Sequence, residues 1–370
     1  MANQYRIPVS KPDLTGEDFK EIKRAFDSSW ISSKSPWVLE FEKLFAKKVS
    51  KTKYAASVNS GTSALFLALR SLGIGDGDEV ILPSLTMIAT INAVTLTGAK
   101  PVLVDCRSFE DFNWNIEEVK KKITKKTKVI MPVHLYGYSC EMDVLIKLAK
   151  GKNIFVVEDA AEAMGATYKG KALGSFGDLS CFSLYSNKII TTANGGMVTT
   201  NNKKLYALIK KLRFFDFNED SHFTHHVIGY NMVLSGLQAA LGVSQAKRFK
   251  KLLEKRREIF NQYKKYLKKS DKYFIPEPIK YQNPNYWFPA VIFKSSKTKE
   301  KARLFLKNKG IETRVFFRPL HMQPVYKNLF KGEKYEKAEY FYKHGLLLPS
   351  FYGLKESQIK EISKLIDSVV

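Results

Sequence analysis

The sequence predicts an α/β fold with two parts: a large domain on a mostly parallel seven-stranded sheet, and a smaller C-terminal α+β domain. Three observations lead there. Between residues 54 and 200, short runs rich in β-branched residues alternate with helical stretches, and several of these runs are apolar throughout. After residue 201 the composition shifts to long, charged helical stretches. Runs without polar alternation indicate strands buried on both faces, as in a parallel sheet covered by helices.

The large domain is expected to alternate strands and helices in the order of a doubly wound fold. Ligands of such a sheet gather at the carboxyl ends of its strands. The predicted strands are Tyr54–Val58, Glu79–Leu82, Pro101–Val104, Val129–His134, Ile154–Glu158, Leu179–Ser183 and Met197–Thr200. The predicted helices between them are Gly61–Leu72, Ile88–Leu96, Ile116–Ile123 and Asp143–Ala149.

The C-terminal part begins with one long charged helical stretch, predicted over Leu234–Lys268. Three prolines then mark a linker, since proline breaks both helix and sheet pairing. A smaller α+β domain follows, and we place the division between residues 1–245 and 246–370. Its expected elements are strands at Tyr286–Phe293 and Ile311–Phe316 and helices at Thr298–Lys309 and Glu356–Val369.

The composition suits a soluble globular protein in the cytoplasm. The chain has 370 residues, 44% of them hydrophobic, and a formal net charge of +25 from 61 basic and 36 acidic residues. Such charge can indicate an anionic partner, but the lysines are spread along the chain, which favours solvated helix surfaces over a nucleic-acid site. Three scattered cysteines suit a reducing compartment and neither a disulfide framework nor a metal site. Pro83, Asn92 and Gly98 interrupt the uncharged stretch 80–99, so no membrane span is expected.

Lys188 carries the most informative pattern in the chain. Ser183 stands five residues before it, and a polar loop ending in two glycines follows it. Upstream, an apolar run ends in two acids, Glu158 and Asp159, with Glu162 three residues later. A lysine can form a Schiff base with pyridoxal phosphate (PLP), while an acid at a strand end keeps the pyridine nitrogen protonated. A surface lysine and a strand-end carboxylate that caps a turn are the alternatives for each residue alone.

Two further segments fit the same cofactor. Gly61 and Thr62 follow a strand and open a helix, whose free N–H groups and positive dipole end can hold a phosphate. An ordinary capped helix start would look the same. Met87 follows the second strand, and its polarisable side chain could cover the face of the cofactor ring, although a core residue is the simpler interpretation.

These segments together resemble the DegT/DnrJ/EryC1/StrS family of PLP-dependent nucleotide-sugar aminotransferases, which have the type I aminotransferase fold. The resemblance runs from Ile7 to Tyr352 and covers nearly the whole chain. Besides the motifs above, the stretches that carry it are Trp30-Ile-Ser-Ser, Pro132-Val-His-Leu-Tyr-Gly137, Gly229-Tyr-Asn231, Gly310-Ile-Glu-Thr-Arg314 and Pro319-Leu-His321.

The resemblance implies a role for each matching residue. Lys188 would be the catalytic Schiff-base lysine and proton carrier, Asp159 would bind the pyridine nitrogen, and Glu162 the ring hydroxyl. Gly61, Thr62 and Ser183 would bind the phosphate, with Met87 where the family often has an aromatic stacking residue. Asn231 would reach the phosphate from the neighbouring subunit of a homodimer. The residues expected at the nucleotide-sugar substrate are Trp30, Ser32, Arg314 and His321.

Two departures from the family pattern stand out. The chain has Ala193 and Asn194 where the family usually has Gly-Glu, and Met232 to Gly236 replace a segment that usually contains an arginine. Neither alters Lys188 or Asp159.

The implied reaction moves an amino group from glutamate to the C4 keto group of a nucleotide-linked 4-keto-6-deoxyhexose. The motifs look most like those of the GDP-perosamine synthases. A UDP- or dTDP-linked 4-aminotransferase of the viosamine type, a 3-aminotransferase, and a non-enzymatic nucleic-acid-binding protein are the alternatives.

Overall fold

The computed structural model describes residues 5–217, 223–268 and 270–369. In chain order its strands are β1 Tyr54–Val58, β2 Glu79–Pro83, β3 Lys100–Val104, β4 Thr127–Ile130, β5 Phe155–Asp159, β6 Thr167–Tyr168, β7 Lys171–Ala172, β8 Leu179–Ser183, β9 Gly196–Thr200, β10 Tyr273–Phe274, β11 Gln282–Asn283, β12 Ala290–Phe293, β13 Arg314–Val315 and β14 Gly345–Leu347. Its α-helices are α1 Gly16–Asp27, α2 Pro36–Phe45, α3 Gly61–Ser71, α4 Ile88–Leu96, α5 Ile116–Lys122, α6 Met142–Lys152, α7 Lys203–Leu212, α8 Gly236–Lys247, α9 Phe249–Tyr266, α10 Ser296–Asn308, α11 Glu336–His344 and α12 Glu356–Asp367.

A seven-stranded sheet in the order β1-β9-β8-β5-β4-β2-β3 forms the centre of the protein. Strand β9 runs antiparallel to both of its neighbours, while the pairs from β8 to β3 are all parallel. The predicted α/β class and mostly parallel seven-stranded sheet are therefore confirmed. All five residues of β2 are buried, as its uninterrupted apolar run predicts.

The start of α3 is set by its sequence. Ser60 is its N-cap: it has an extended backbone, and its Oγ accepts a 3.0 Å hydrogen bond from the N–H of Ser63. The helix then buries Leu65, Leu67 and Leu69 beneath the sheet. Gly61, in its first turn, packs against Ser183 at the carboxyl end of β8.

A second sheet, in the order β10-β12-β14-β13, lies within residues 273–347. Its strands share a core with α9, α10 and α12, which includes Ile259, Val291, Leu306 and Ile362. The N-terminal segment joins this region, because Ile7 forms a parallel bridge with Ile311. The division between residues 1–245 and 246–370 stays a prediction.

The long helix predicted over Leu234–Lys268 is two helices, α8 and α9, separated at Arg248. The guanidinium of Arg248 forms ion pairs with Asp13 at 2.5 Å and with Asp18 at 2.8 Å. These contacts come from a distant part of the chain, which local periodicity does not reveal. Across the described residues, no helix is both long and apolar enough to span a membrane.

Candidate active site

A cavity of about 400 Å³ opens where the carboxyl ends of β5 and β8 meet the first turn of α3. Residues of β13 and β14 close its other side. The cavity collects most of the predicted site residues: Gly61, Thr62, Met87, Asp159, Glu162, Ser183, Lys188 and Arg314. A larger cavity of about 840 Å³, beside Arg107 and Lys294, contains none of them.

Lys188 is buried in this cavity between an acid and an aromatic ring. Its Nζ lies 3.7 Å from Glu162 Oε1, and its side chain is 10% exposed. The same Nζ lies 3.6 Å from the centroid of the Trp287 ring. Burial lowers the pKa of Lys188, and the carboxylates of Glu162 and Asp159 counteract that effect. A lower pKa increases the fraction of the amine that is neutral, and so nucleophilic, at a given pH.

The two acids of the motif are held in different ways. Asp159 ends β5, and its Oδ2 accepts a 2.8 Å hydrogen bond from the hydroxyl of Thr90. Glu162 Oε2 accepts a 2.8 Å bond from the N–H of Tyr136. Burial raises the pKa of Asp159, and it raises the pKa of Glu162 to about 7, although the Lys188 ammonium opposes the latter shift. Two carboxyls with distinct surroundings thus face one amine.

The opposite end of the cavity is built from backbone. A Cβ placed on Gly61 would lie 3.0 Å from Ser183 Cβ, and one on Gly196 would lie 2.2 Å from the carbonyl oxygen of Ser60. The chain can therefore approach this closely only with glycines at these positions. Among the described residues, the N–H groups of Gly61 and Thr62 have no hydrogen-bond acceptor. A helix start with free N–H groups fits an anion.

Met87 and Arg314 lie at the cavity's more open side. Met87 is 45% exposed, and its sulfur accepts a hydrogen bond from the N–H of Ala89. The Arg314 guanidinium carbon lies 5.6 Å from the Phe288 ring centroid. With the described residues the Arg314 guanidinium forms neither an ion pair nor a hydrogen bond, so its charge is available to a ligand.

Four predicted site residues do not line the cavity. Trp30, Ser32 and Asn231 are exposed at the surface. His321 is 8% exposed at its side chain and lies between Ser84, which follows β2, and helix α11. Its Nδ1 is 2.8 Å from Ser84 Oγ, and its Nε2 is 3.4 Å from Glu339. The imidazole thus joins the two parts of the chain rather than facing the cavity.

The sequence motifs miss several cavity residues, of which Trp287, Thr90 and Asn187 make the most direct contacts with the predicted site. Trp287 stands in a stretch interpreted as the start of a strand, yet β12 begins only at Ala290. A tryptophan beside a strand is equally typical of a core, so no pattern distinguishes it. Thr90 could have been found, because it lies in the first turn of α4, the helix that begins directly after Met87.

Comparison with known proteins gives matches in sequence and in structure over nearly the whole chain. The model of the DegT/DnrJ/EryC1/StrS aminotransferase family matches residues 12–367. The chain is 41% identical to a GDP-perosamine synthase from Escherichia coli O157:H7, with 98% of both chains covered. It is 39% identical to one from Caulobacter vibrioides, with both chains fully covered. A putative sugar aminotransferase from Streptococcus pneumoniae, solved in its PMP form, superposes with a TM-score of 0.92 at 30% identity, covering 99% of this chain and 98% of its own.

These similarities confirm the predicted enzyme class, a PLP-dependent aminotransferase, and the predicted type I fold. The chain belongs to the DegT/DnrJ/EryC1/StrS aminotransferase family.

Proposed function

We propose that this enzyme transfers the amino group of glutamate to the C4 keto group of a GDP-linked 4-keto-6-deoxyhexose. The observation that carries the proposal is identity of 41% and 39% over full length with two relatives named GDP-perosamine synthase. The product would be an amino sugar used to build surface polysaccharide.

The residues of the cavity fit PLP. The free N–H groups of Gly61 and Thr62, with the hydroxyl of Ser183 beside them, would hold its phosphate. Asp159, buried and bonded to Thr90, would pair with the pyridine nitrogen. Glu162 would accept a hydrogen bond from the ring hydroxyl, and Met87 would cover one face of the ring. When bound, PLP supplies an aldehyde that bonds to amines and a ring that takes up the electron pair of a broken C–H bond.

Lys188 would have two tasks. Its Nζ would hold the cofactor covalently in the resting enzyme, and, when free, it would carry a proton as a general base and then as a general acid. With glutamate it would move the proton from the substrate carbon to the cofactor, and with the keto sugar it would move a proton in the opposite direction. Burial suits both tasks, because it lowers the pKa of Lys188 toward the working pH. The ionised Asp159 would keep the pyridine nitrogen protonated throughout.

Arg314 would recognise the anionic groups of the substrates. Glutamate carries carboxylates and the nucleotide sugar carries a diphosphate, so one unpaired guanidinium at the cavity can serve both. His321 would act from outside the cavity. Its hydrogen bonds to Ser84, which follows β2, and to Glu339 would fix the position of the loop after β2.

The three exposed predicted residues suggest that a second copy of the chain completes the site. Trp30 is 55% exposed and Ile228 is 88% exposed, and Lys34 lies 5.5 Å from the exposed Phe217 ring. Large apolar side chains exposed together are typical of an interface. We infer a homodimer in which Asn231 of each copy reaches the phosphate of the other.

Ile228→Asp tests the homodimer. We expect it to shift the molecular mass measured by light scattering toward the monomer and to lower PLP binding. Leu304→Asp, at a surface position that is 44% exposed on α10, is the control and should change neither. A fully dimeric and active Ile228→Asp variant contradicts the shared site.

An amino-transfer assay tests the substrate. The purified enzyme, glutamate and PLP are incubated in turn with GDP-, UDP- and dTDP-linked 4-keto-6-deoxyhexoses, and 2-oxoglutarate and the amino sugar are measured. We expect the GDP-linked sugar to be aminated at C4 with the highest kcat/KM. Preference for UDP or dTDP, or amination at C3, overturns the substrate assignment.

The cytoplasm remains our proposed location. All three cysteines are buried free thiols, which fits a reducing compartment. The absence of a nucleic-acid partner also stays a prediction.

A further inference from the structure

The amine of Lys188 lies between two groups that favour its protonated form. On one side is Glu162 Oε1 at 3.7 Å, and on the other is the face of the Trp287 ring at 3.6 Å. An ammonium within about 6 Å of an indole centroid is attracted by the negative face of the ring, most strongly where water is excluded. Trp287 is 4% exposed, so little of its ring is in contact with bulk water.

The indole is fixed in place from both ends. Its Nε1 donates a 2.8 Å hydrogen bond to the carbonyl oxygen of Asn187, the residue that precedes Lys188. The backbone N–H of Trp287 donates a 3.0 Å hydrogen bond to Asn285 Oδ1. The amide nitrogen of Asn285 in turn donates to the carbonyl oxygen of Glu162 at 2.8 Å. One network therefore ties Trp287 to the residues on both sides of the amine.

Tyr136 supports the same arrangement from behind. Its ring stacks on Trp287 with an interplanar angle of 22°, while its N–H holds Glu162. Tyr136 has φ +54°, a left-handed conformation that costs about 1–2 kcal/mol in a residue other than glycine. Its hydroxyl accepts a 3.1 Å hydrogen bond from the N–H of Phe317, next to the substrate side of the cavity. Such strain persists only where surrounding contacts determine the conformation.

We propose that Trp287 is a positioning residue that, together with Glu162, forms a resting place for the free ammonium of Lys188. This inference rests on the proposed role of Lys188 as the displaced lysine. In each half-reaction the amine would be free of the cofactor while it takes a proton from one carbon and delivers it to another, so it must stay close to both. The indole face keeps Nζ inside the cavity during that interval, where the lysine stem alone would leave it free to rotate.

The experiment compares Trp287→Leu, which removes the aromatic face, with Trp287→Phe, which keeps a weaker one. Trp114→Phe is the matched control, because Trp114 is also 4% exposed but lies outside the cavity. Cofactor-free protein is mixed with PLP across a pH series, and attachment at Lys188 is trapped with borohydride and quantified by mass spectrometry. In parallel, kcat and KM are measured on the holoenzyme.

We expect the trapping midpoint to move to lower pH in Trp287→Leu, since losing the ring destabilises the ammonium. We expect kcat to fall about threefold to thirtyfold with little change in KM, and Trp287→Phe to be intermediate. Trp114→Phe should match the wild type in both measurements. If Trp287→Leu fails to fold, an unchanged midpoint and kcat in Trp287→Phe overturn the proposal. Failure of the wild type itself to attach PLP at Lys188 would instead overturn the proposed function.

Discussion

Thr90 Oγ1 donates a 2.8 Å hydrogen bond to Asp159 Oδ2 at the buried end of the active site. Asp159 is 5% exposed, and burial raises its pKa, whereas the bonds from Thr90 and from the N–H of Ala161 lower it. If Asp159 pairs with a pyridinium as proposed, it must stay ionised, and the Thr90 hydroxyl on α4 is one of the groups that favour the ionised form. The packing of α4 would then influence the electronic state of the cofactor.

Thr90→Val removes that hydroxyl while keeping the shape of the side chain. The pKa of Asp159 should rise further, so the acidic limb of the kcat/KM profile should move to higher pH. Activity at neutral pH should fall about tenfold, as expected for a lost hydrogen bond to a charged group. Thr90→Ser retains the hydroxyl and should restore the wild-type profile. An unchanged acidic limb in Thr90→Val would refute this role.

Glu162→Gln tests the electrostatic partner of Lys188. The Glu162 carboxylate raises the pKa of Lys188 against the effect of burial, so its removal should lower that pKa further. More neutral amine is then present at a given pH. The rate at which cofactor-free protein attaches PLP near neutral pH should rise roughly three- to tenfold. The midpoint of the pH dependence of attachment should move to lower pH. Glu141→Gln, whose carboxyl lies 3.2 Å from Arg107 outside the cavity, should leave both unchanged. A midpoint shifted upward would contradict this account.

Ala193 should be a strained position, because its φ is +67°. The family usually has glycine there, and a Cβ in this conformation costs about 1 kcal/mol. Ala193→Gly should therefore increase the free energy of unfolding by roughly 0.5–1 kcal/mol in urea titrations. Ala207→Gly, at an exposed position inside α7, should have the opposite effect and destabilise by a similar amount. Equal signs for the two variants would show that backbone strain is not the cause.

Glu158, the other acid of the motif, has a structural task. It is fully buried, and its oxygens accept hydrogen bonds from the N–H groups of Gly174, Phe176 and Gly177. Its Oε2 also lies 2.9 Å from His134 Nε2. Glu158→Gln would turn an amide group toward these donors, and we expect a loss of about 3–5 kcal/mol in the free energy of unfolding.

The control for Glu158 is Glu17→Gln. Glu17 pairs with Lys20 at 2.7 Å, but the two side chains are 69% and 71% exposed. Such a surface pair contributes at most about 1 kcal/mol. If urea titration gives the same loss in the free energy of unfolding for both variants, the hydrogen bonds of Glu158 to the loop 174–177 do not contribute the stability assigned to them.

The central sheet could be predicted because burial on two faces leaves a direct trace in the sequence. The β1 and β8 strands match their predicted bounds, and the buried runs locate the others to within a few residues. The small-domain strand expected at Tyr286–Phe293 begins four residues late, at Ala290. Tyr286 has φ +50° and Asn285 Oδ1 accepts from the N–H of Trp287, so this stretch turns toward the site instead of extending.

The predicted site divides along similar lines. Residues tied to a strand end or a helix start, such as Asp159 and Gly61, fall into the cavity, because local structure places them there. Trp287 comes from the far side of the fold, and its contact with Lys188 depends on how the two sheets pack. Trp30 and Asn231 lie on an outer face, where only a second copy of the chain would bring them to a site.

Mapping the attachment site shows directly whether Lys188 is the residue that binds the cofactor covalently. The PLP-loaded enzyme is reduced with borohydride, digested with a protease and sequenced by mass spectrometry. We expect a single pyridoxyl label, on the peptide that contains Lys188, and its disappearance in Lys188→Arg. A label on another lysine, or the same labelling in Lys188→Arg, would contradict it.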